Sequence, residues 1–416
     1  MLSNWKVCKI GDICKRITSG GTPKSTVIEY YNAGNIPWLN TKEVHFNRIY
    51  TTEKNITEFG LNNSSAKWIK ENNVIVAMYG VTAGNVAINK IPLTTNQACC
   101  NLEINDKVAD YNFIYYLLMN NYNLLSSMAN GGAQQNLNSL QIKNFSACLP
   151  PLETQQKIAK VLSAFDDKIE LNNKINENLE QQAQAIFKSW FIDFEPFGGK
   201  MPNDWRKGTF SELIDYAIGG DWGKEKIHEN YTEKVYCIRG ADIPDVRSGN
   251  KGKMPFRYIL PKNYENKKLS NGDLVVEISG GSPTQSTGRI AVITDYLLNR
   301  YDNKIVCTNF CRALKPKKDY SMFIYYYWLY MYSKDVFFSY ENGTTGIKNF
   351  DITGFIETEK IVIPNEEVLK RFSNLCISFE KQIFSNGYEN EQLANLRDTL
   401  LPKLMNGEID VEKIKI

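Results

Sequence analysis

Histidine is almost missing: the 416 residues include His45 and His228 and no other. That leaves little general-base chemistry. Nine cysteines are present, but none forms C-x-x-C, so a zinc site is not expected and reduced thiols of a cytosolic protein are. No G-x-x-x-x-G-K-[ST] phosphate loop and no G-x-S-x-G elbow occurs, which argues against an NTPase and a serine hydrolase. Methyl transfer to an adenine amine needs an Asn/Asp-Pro-Pro-aromatic grip, yet the one Pro-Pro, Pro150-Pro151, sits between Leu149 and Leu152. The most apolar run, Met322–Tyr332, is too short to span a bilayer, and Met1-Leu-Ser-Asn-Trp-Lys lacks a signal-peptide core. A cytoplasmic location without a membrane partner is the expectation. Net charge is only +3, which permits a polyanionic partner without requiring one. Neither catalytic residues nor metal ligands are therefore expected. The chain reads as a binder and organiser.

What it does contain is a repeat. Leu152–Phe194 returns at Asn365–Met405: Ile169 falls on Ile383, Leu179 on Leu393 and Trp190 on Leu404. In the first copy special residues recur in steps of three and four, a coiled-coil seam over about four heptads. Pro150-Pro151 suits its start, and Pro196 with Gly198-Gly199 its end. A helix over these residues spans roughly 65 Å. The second copy carries three blemishes: Gly387 as a weak point, Arg397 in place of Ala183, and a kinking Pro402. Asn172 and Asn176 interrupt the first seam, and Asn386 and Asn390 the second. If the helices pair antiparallel, these four residues can bond each other and fix register. The alternative is that they face solvent where the helices splay.

Two globular modules flank the repeat. VIVAMYG at 74–80 resembles LVVEISG at 274–280, and WLNTKEV at 38–44 matches CIRGADI at 237–243, which brings in Arg239. Thr95-Asn96 matches Thr308-Asn309. Short β-branched strands and an aromatic helix in each predict mixed α/β domains. The Tyr-rich run at 322–332 reads as a buried helix, with a base-stacking platform as the alternative. The expected layout is 1–150 a first domain, 151–197 a central helix, 198–363 a second domain and 364–416 a terminal helix. It gives internal pseudo-two-fold symmetry.

Three loop sets recur in both modules. Ser19-Gly20-Gly21-Thr22-Pro23-Lys24 is echoed by 219–224, with Gly220, Trp222 and Lys224. Paired glycines allow close approach to a phosphate and the lysine adds charge. Tyr79 and Thr82 are echoed by Ser282, Thr284, Gln285 and Arg289, polar groups suited to base edges. Gln134, Gln135 and Asn136 are echoed by Thr344, Thr345 and Lys348. Each loop also reads as a plain turn, and only the recurrence favours a contact surface. The strip at 185–194 is aromatic; Trp190, Phe191 and Phe194 read as a surface for a partner or a neighbouring domain, or as local packing.

These residues resemble the specificity (S) subunits of type I restriction-modification systems over essentially the whole chain. The opening WKVCKIGDICKRITSGGTPKS (5–25) is similar to the start of a first target-recognition domain. The stretch at 149–197 is similar to the family's central repeat, and NEQLANLRDTLLPKLMNGEIDV (390–411) to its C-terminal one. GGDWGKE, IRGADI and SGGSPTQSTGRIAVI resemble its second recognition domain. The resemblance implies two target-recognition domains separated by an antiparallel coiled coil, with one half of a split, asymmetric double-stranded DNA site read by each. It implies two methyltransferase (M) subunits, which bring S-adenosylmethionine for adenine N6 methylation. It also implies restriction (R) subunits that bring ATP and Mg. No cofactor would lie in this chain. The competing readings are a self-sufficient enzyme, opposed by the missing motifs, and a coiled-coil adaptor whose heads bind proteins.

Overall fold

A computed structural model describes residues 4–129, 136–282, 284–343 and 348–414. It divides into two compact units, Met1–Asp167 with Leu393–Ile416, and Lys168–Gln392. Both are mixed α/β. In the first, a five-stranded sheet has the order Cys14–Ser19, Cys99–Ile104, Val74–Ala77, Val86–Asn89, Asn47–Ile49. Val74–Ala77 is buried at every position, as its unbroken apolar sequence requires of a central strand covered on both faces. A four-stranded sheet runs Lys54–Ile56, Ile36–Leu39, Leu93–Thr95, Trp68–Ile69. Lys6–Lys9 pairs with Ser146–Leu149 and brings the start of the unit to the root of a long helix.

The second unit is built on the same plan. Its main sheet runs Ile214–Gly219, Cys311–Pro316, Leu274–Glu277, Ile290–Val292. A second sheet runs Phe256–Ile259, Glu233–Ile238, Ile305–Cys307, and Arg206–Thr209 pairs with Lys360–Ile363. In each unit the equivalent pair, Ile36–Leu39 with Leu93–Thr95 and Glu233–Ile238 with Ile305–Cys307, runs parallel. The Tyr-rich run forms the helix Ser321–Tyr332, buried almost throughout. Its polar tips are satisfied: Trp328 Nε1 donates to the Gly288 carbonyl (2.7 Å) and the Tyr332 hydroxyl to that of Ser286 (2.9 Å).

The repeats form two helices, Leu152–Phe191 and Glu366–Met405, of 40 residues each. Asn365 caps the second by accepting from Val368 N (2.9 Å), and acids occupy both first turns. The two pack antiparallel: partner numbers fall along one helix as they rise along the other. In the first unit Arg397 Nη1 reaches Asp166 at 2.5 Å. In the second, Asn172 Nδ2 donates to Asn390 Oδ1 (2.9 Å) and Asn386 Nδ2 to Asn176 Oδ1 (2.8 Å), all four being buried. Phe187 and Phe372 follow, with ring centroids 5.9 Å apart.

Two of the three blemishes in the second repeat have tertiary reasons. Gly387 is a point of close approach, where a Cβ would lie 2.0 Å from the Gly249 carbonyl oxygen. Arg397 is no defect of pairing, because Asp166 neutralises it and also accepts from the buried Tyr116 hydroxyl. Pro402 lies within the helix, which continues to Met405.

Candidate functional site

The first two recurring loop sets follow strand ends in each unit, Cys14–Ser19 and Val74–Ala77 in the first, Ile214–Gly219 and Leu274–Glu277 in the second. In the first, Gly20 is obligatory, since a Cβ would stand 1.9 Å from the Thr95 carbonyl oxygen. Gly21 N donates to that carbonyl (2.8 Å), and the Trp38 indole holds the Gly21 carbonyl (2.9 Å). Thr22, exposed, hydrogen-bonds Gln97. Asn40 caps the next turn: its amide N donates to Glu43 Oε1 (2.9 Å), and its side chain accepts from Lys42 N. Tyr79 is bridged to Asn136, which brings the second loop set against the third. Beside them Val81 is 96% exposed.

The second unit repeats the frame with other side chains. Asp221 N donates to the Cys307 carbonyl (2.8 Å), and a Cβ on Gly220 would again stand 1.9 Å from a carbonyl oxygen, that of Thr308. Arg239 and Asp242 reproduce the Asn40–Glu43 cap, with Arg239 N donating to Asp242 Oδ2 (3.0 Å). Gly84 and Gly288, at φ +90° and +91°, donate to the carbonyls of Ala77 and Glu277. This register shifts one sequence match. Asn96 N binds the Leu39 carbonyl and Thr308 N that of Ile238, so Asn96, not Thr95, is the counterpart of Thr308. Ala98 thereby matches Phe310.

These loops enclose a cavity of about 460 Å³. Trp222, Arg239, Gly240, Glu277, Ser279, Asn309 and Phe310 contribute to its walls. Arg257 lies 4.2 Å over the Trp222 ring and fixes it. Asp242 holds Arg239 through Nε (2.9 Å) and Nη2 (3.0 Å), an arrangement that holds the Asp242 carboxyl below its usual range although burial pushes the other way. The Phe310 carbonyl accepts from Ile278 N (2.9 Å), which pins the backbone, while its side chain is 62% exposed. The sequence alone does not single out Phe310, Asn40, Gln97 or Asn309, because isolated loop residues carry no periodic signal.

Not every expected contact residue is available. Thr82 is buried, with its carbonyl accepting from Asn85 N, because the turn Gly80–Thr82 folds it inward. Arg289 is clamped by Glu277 through Nε (2.8 Å) and Nη2 (2.6 Å), so it compensates a buried carboxylate and is not a base reader. Lys348 is paired with Glu341 (2.7 Å). Lys24 and Lys224 are exposed, as are Thr284 and Gln285. Ser19 faces Ser139 (3.4 Å) and Ser282 closes the turn on Gln285. Gln134, Gln135, Thr344 and Thr345 lie outside the described residues. Phe191 is fully buried among Trp205, Phe323 and Phe372, which leaves only Trp190 and Phe194 with surface for a partner. Among the described residues no group of His, Cys, Asp and Glu could hold a metal, and no helix is long and apolar enough to cross a membrane.

The chain matches the family model described as the type I restriction modification DNA specificity domain over residues 2–181. It is 30% identical to the MjaIX type I restriction enzyme specificity subunit of Methanocaldococcus jannaschii, covering 99% of this chain and 95% of that one. It is 26% identical to the HindI specificity subunit of Haemophilus influenzae, covering 98% and 100%. Its fold is similar to the crystal structure of an S subunit from M. genitalium, at a TM-score of 0.56 and 17% identity over 96% of each chain. With the duplicated mixed domains and the antiparallel pair of long helices, these similarities place the chain in the family of type I restriction enzyme specificity subunits.

Proposed function

We propose that the chain reads a split, asymmetric double-stranded DNA site, one half-site per recognition domain, and itself performs no catalysis. The observation that carries this reading is the double construction of one loop frame. The residues after Gly20 and Gly220, the turns after Asn40 and Arg239, and the glycines Gly84 and Gly288 recur at matching hydrogen bonds. A frame kept twice, with its outward side chains changed, suits two readers of different sequences. Lys24 and Lys224 would approach phosphates. Thr22, Gln97, Tyr79 and Asn136 would face bases in the first domain, and Trp222, Arg239, Asn309, Thr284 and Gln285 in the second. The segments 1–150 and 198–363 would act as readers. The helices at 151–197 and 364–416 would set the interval between half-sites; 40 residues amount to about 60 Å, or roughly 18 base pairs.

Methyltransferase subunits, two in number, would bring S-adenosylmethionine for adenine N6 methylation, docking in part on Trp190 and Phe194. Restriction subunits would bring ATP and Mg, and the assembly would work in the cytoplasm. The test is the methylome of cells that express this chain with its methyltransferase partner. The expected result is one two-part motif with a fixed unread interval, and exchange of residues 198–363 for those of another such subunit should replace one half only. A continuous motif, or a change in both halves, sinks the reading. Binding should also weaken steeply with salt through counterion release.

A further inference from the structure

The cavity of the second domain is lined by aromatic as well as polar side chains. A stacked base pair presents its edges along a groove and keeps its faces covered by its neighbours. Aromatic walls gain most from a base whose face is uncovered, as in single strands and extruded nucleotides. Trp222 and Phe310 both line the cavity of about 460 Å³. Trp222 is held ready by the Arg257 guanidinium at 4.2 Å, and Phe310 projects from a pinned backbone. Polar groups line the same cavity. Asp242 and the Lys253 carbonyl engage Nε and Nη2 of Arg239, so Nη1 is the donor that remains for a ligand. Asn309 is exposed and supplies both a donor and an acceptor. The first domain carries Thr22 and Ala98 at the places of Trp222 and Phe310. Its Thr22 hydroxyl is bonded to Gln97, and its Ala98 is buried.

We propose that the slot between Trp222 and Phe310 accepts one nucleobase drawn out of the stack in the second half-site, stacking it on aromatic rings and reading its edge through Arg239 and Asn309. This rests on the DNA-reading function above and deepens it. The second domain would then discriminate partly by how easily one step unstacks. The first would read by direct edge contacts alone.

The test uses the full chain assembled with its methyltransferase partner, and duplexes carrying a fluorescent base analogue at each position of the second half-site in turn. A severalfold rise in fluorescence on binding is expected at one position. The rise should fall to the duplex level in Phe310→Ala and in Trp222→Ala, and return in Phe310→Trp, while discrimination at the first half-site stays unchanged and shows that the chain is folded. Bound duplex with no rise at any position overturns the slot and leaves the split-site reading intact. A rise that survives both alanine substitutions assigns extrusion to the methyltransferase and overturns it as well. Binding without sequence preference overturns the parent reading and the slot with it.

Discussion

The two recognition domains share a backbone frame and differ in what fills it. Where the first has Ala77 and Asn85, with the Asn85 amide donating to the Val44 carbonyl (2.9 Å), the second has Glu277 and Arg289 in a two-point ion pair. Where the first bonds the Thr22 hydroxyl to Gln97, the second has Trp222 and Phe310 on the walls of a cavity. The difference teaches that the hydrogen-bonded skeleton, not the side chains, is the common inheritance. Side chains can then vary for specificity, provided each buried charge finds a partner.

The largest expected effect breaks that proviso. Glu277→Ala strands the Arg289 guanidinium, and removal of one member of a buried pair costs about 3–5 kcal/mol. Asn85→Ala in the first domain should cost only about 1–2 kcal/mol, the scale of one buried hydrogen bond. Glu277→Ala combined with Arg289→Asn installs the chemistry of the first domain and should recover most of the loss. Urea unfolding of the three variants measures this. Equal costs for Glu277→Ala and Asn85→Ala would show that the ion pair contributes no more to its domain than the single hydrogen bond does to the other.

The helical seam differs between the units as well. In the first unit the buried acid, Asp166, has Arg397 as its counter-charge at 2.5 Å. In the second, Glu380 is buried beside Glu180, whose own partner is Arg247 (3.2 Å). Burial first, and then the Glu180 charge, push the Glu380 carboxyl up to about 8, with Arg247 and Tyr326 opposing. The folded chain therefore holds this proton more tightly than the unfolded chain does. Its stabilisation is complete below the ordinary carboxylate range and is lost as pH rises towards about 8. The unfolding free energy from urea titrations should fall between pH 5 and 8 by an amount on the order of a few kcal/mol. Glu380→Gln should match the parent chain at pH 5 and exceed it at pH 8. A parallel decline in the variant would assign the pH dependence to other groups.

Much of the architecture was legible in the sequence because it is written in local patterns. Steps of three and four residues marked both long helices, and the four seam asparagines stood out as polar breaks in an apolar stripe. Contacts between distant segments left no such trace. Gly387 looked like a flaw until Gly249 was seen against it, and Arg397 looked misplaced without Asp166. Arg289 resembled a base reader since nothing local couples it to Glu277 twelve residues away.

Gly387 allows the next test. Gly387→Ala places a methyl group 2.0 Å from a backbone oxygen that cannot swing aside, and should cost about 1–3 kcal/mol despite the better helix propensity of alanine. Asn173 holds the corresponding place in the first helix and is exposed, so Asn173→Ala should lose little beyond its bond with Asn390 (2.9 Å). A stabilised Gly387→Ala chain would mean that Gly249 yields and that the contact does not position the segment around it.

The smallest effect concerns register. Asn176 accepts from Asn386 at 2.8 Å and itself donates to the Ile383 and Ser248 carbonyls (3.2 and 3.1 Å). Either single alanine leaves a buried amide short of a partner, so each should cost about 1–3 kcal/mol, and a double-mutant cycle should give a coupling of about 1 kcal/mol. Replacement of all four seam asparagines, Asn172, Asn176, Asn386 and Asn390, by leucine removes both polar layers of this seam. It should raise the unfolding midpoint while loosening the choice of register, since a single polar layer specifies alignment at the expense of stability. In the methylome that loosening would appear as a second interval between unchanged half-sites. In the first unit the Asp166–Arg397 pair sets alignment by charge, and Asp166→Leu with Arg397→Leu should produce the same signature. If the leucine variants of the asparagines and of the Asp166–Arg397 pair, alone and combined in one chain, keep a single interval, apolar packing alone fixes the register and the asparagines serve only to satisfy one another.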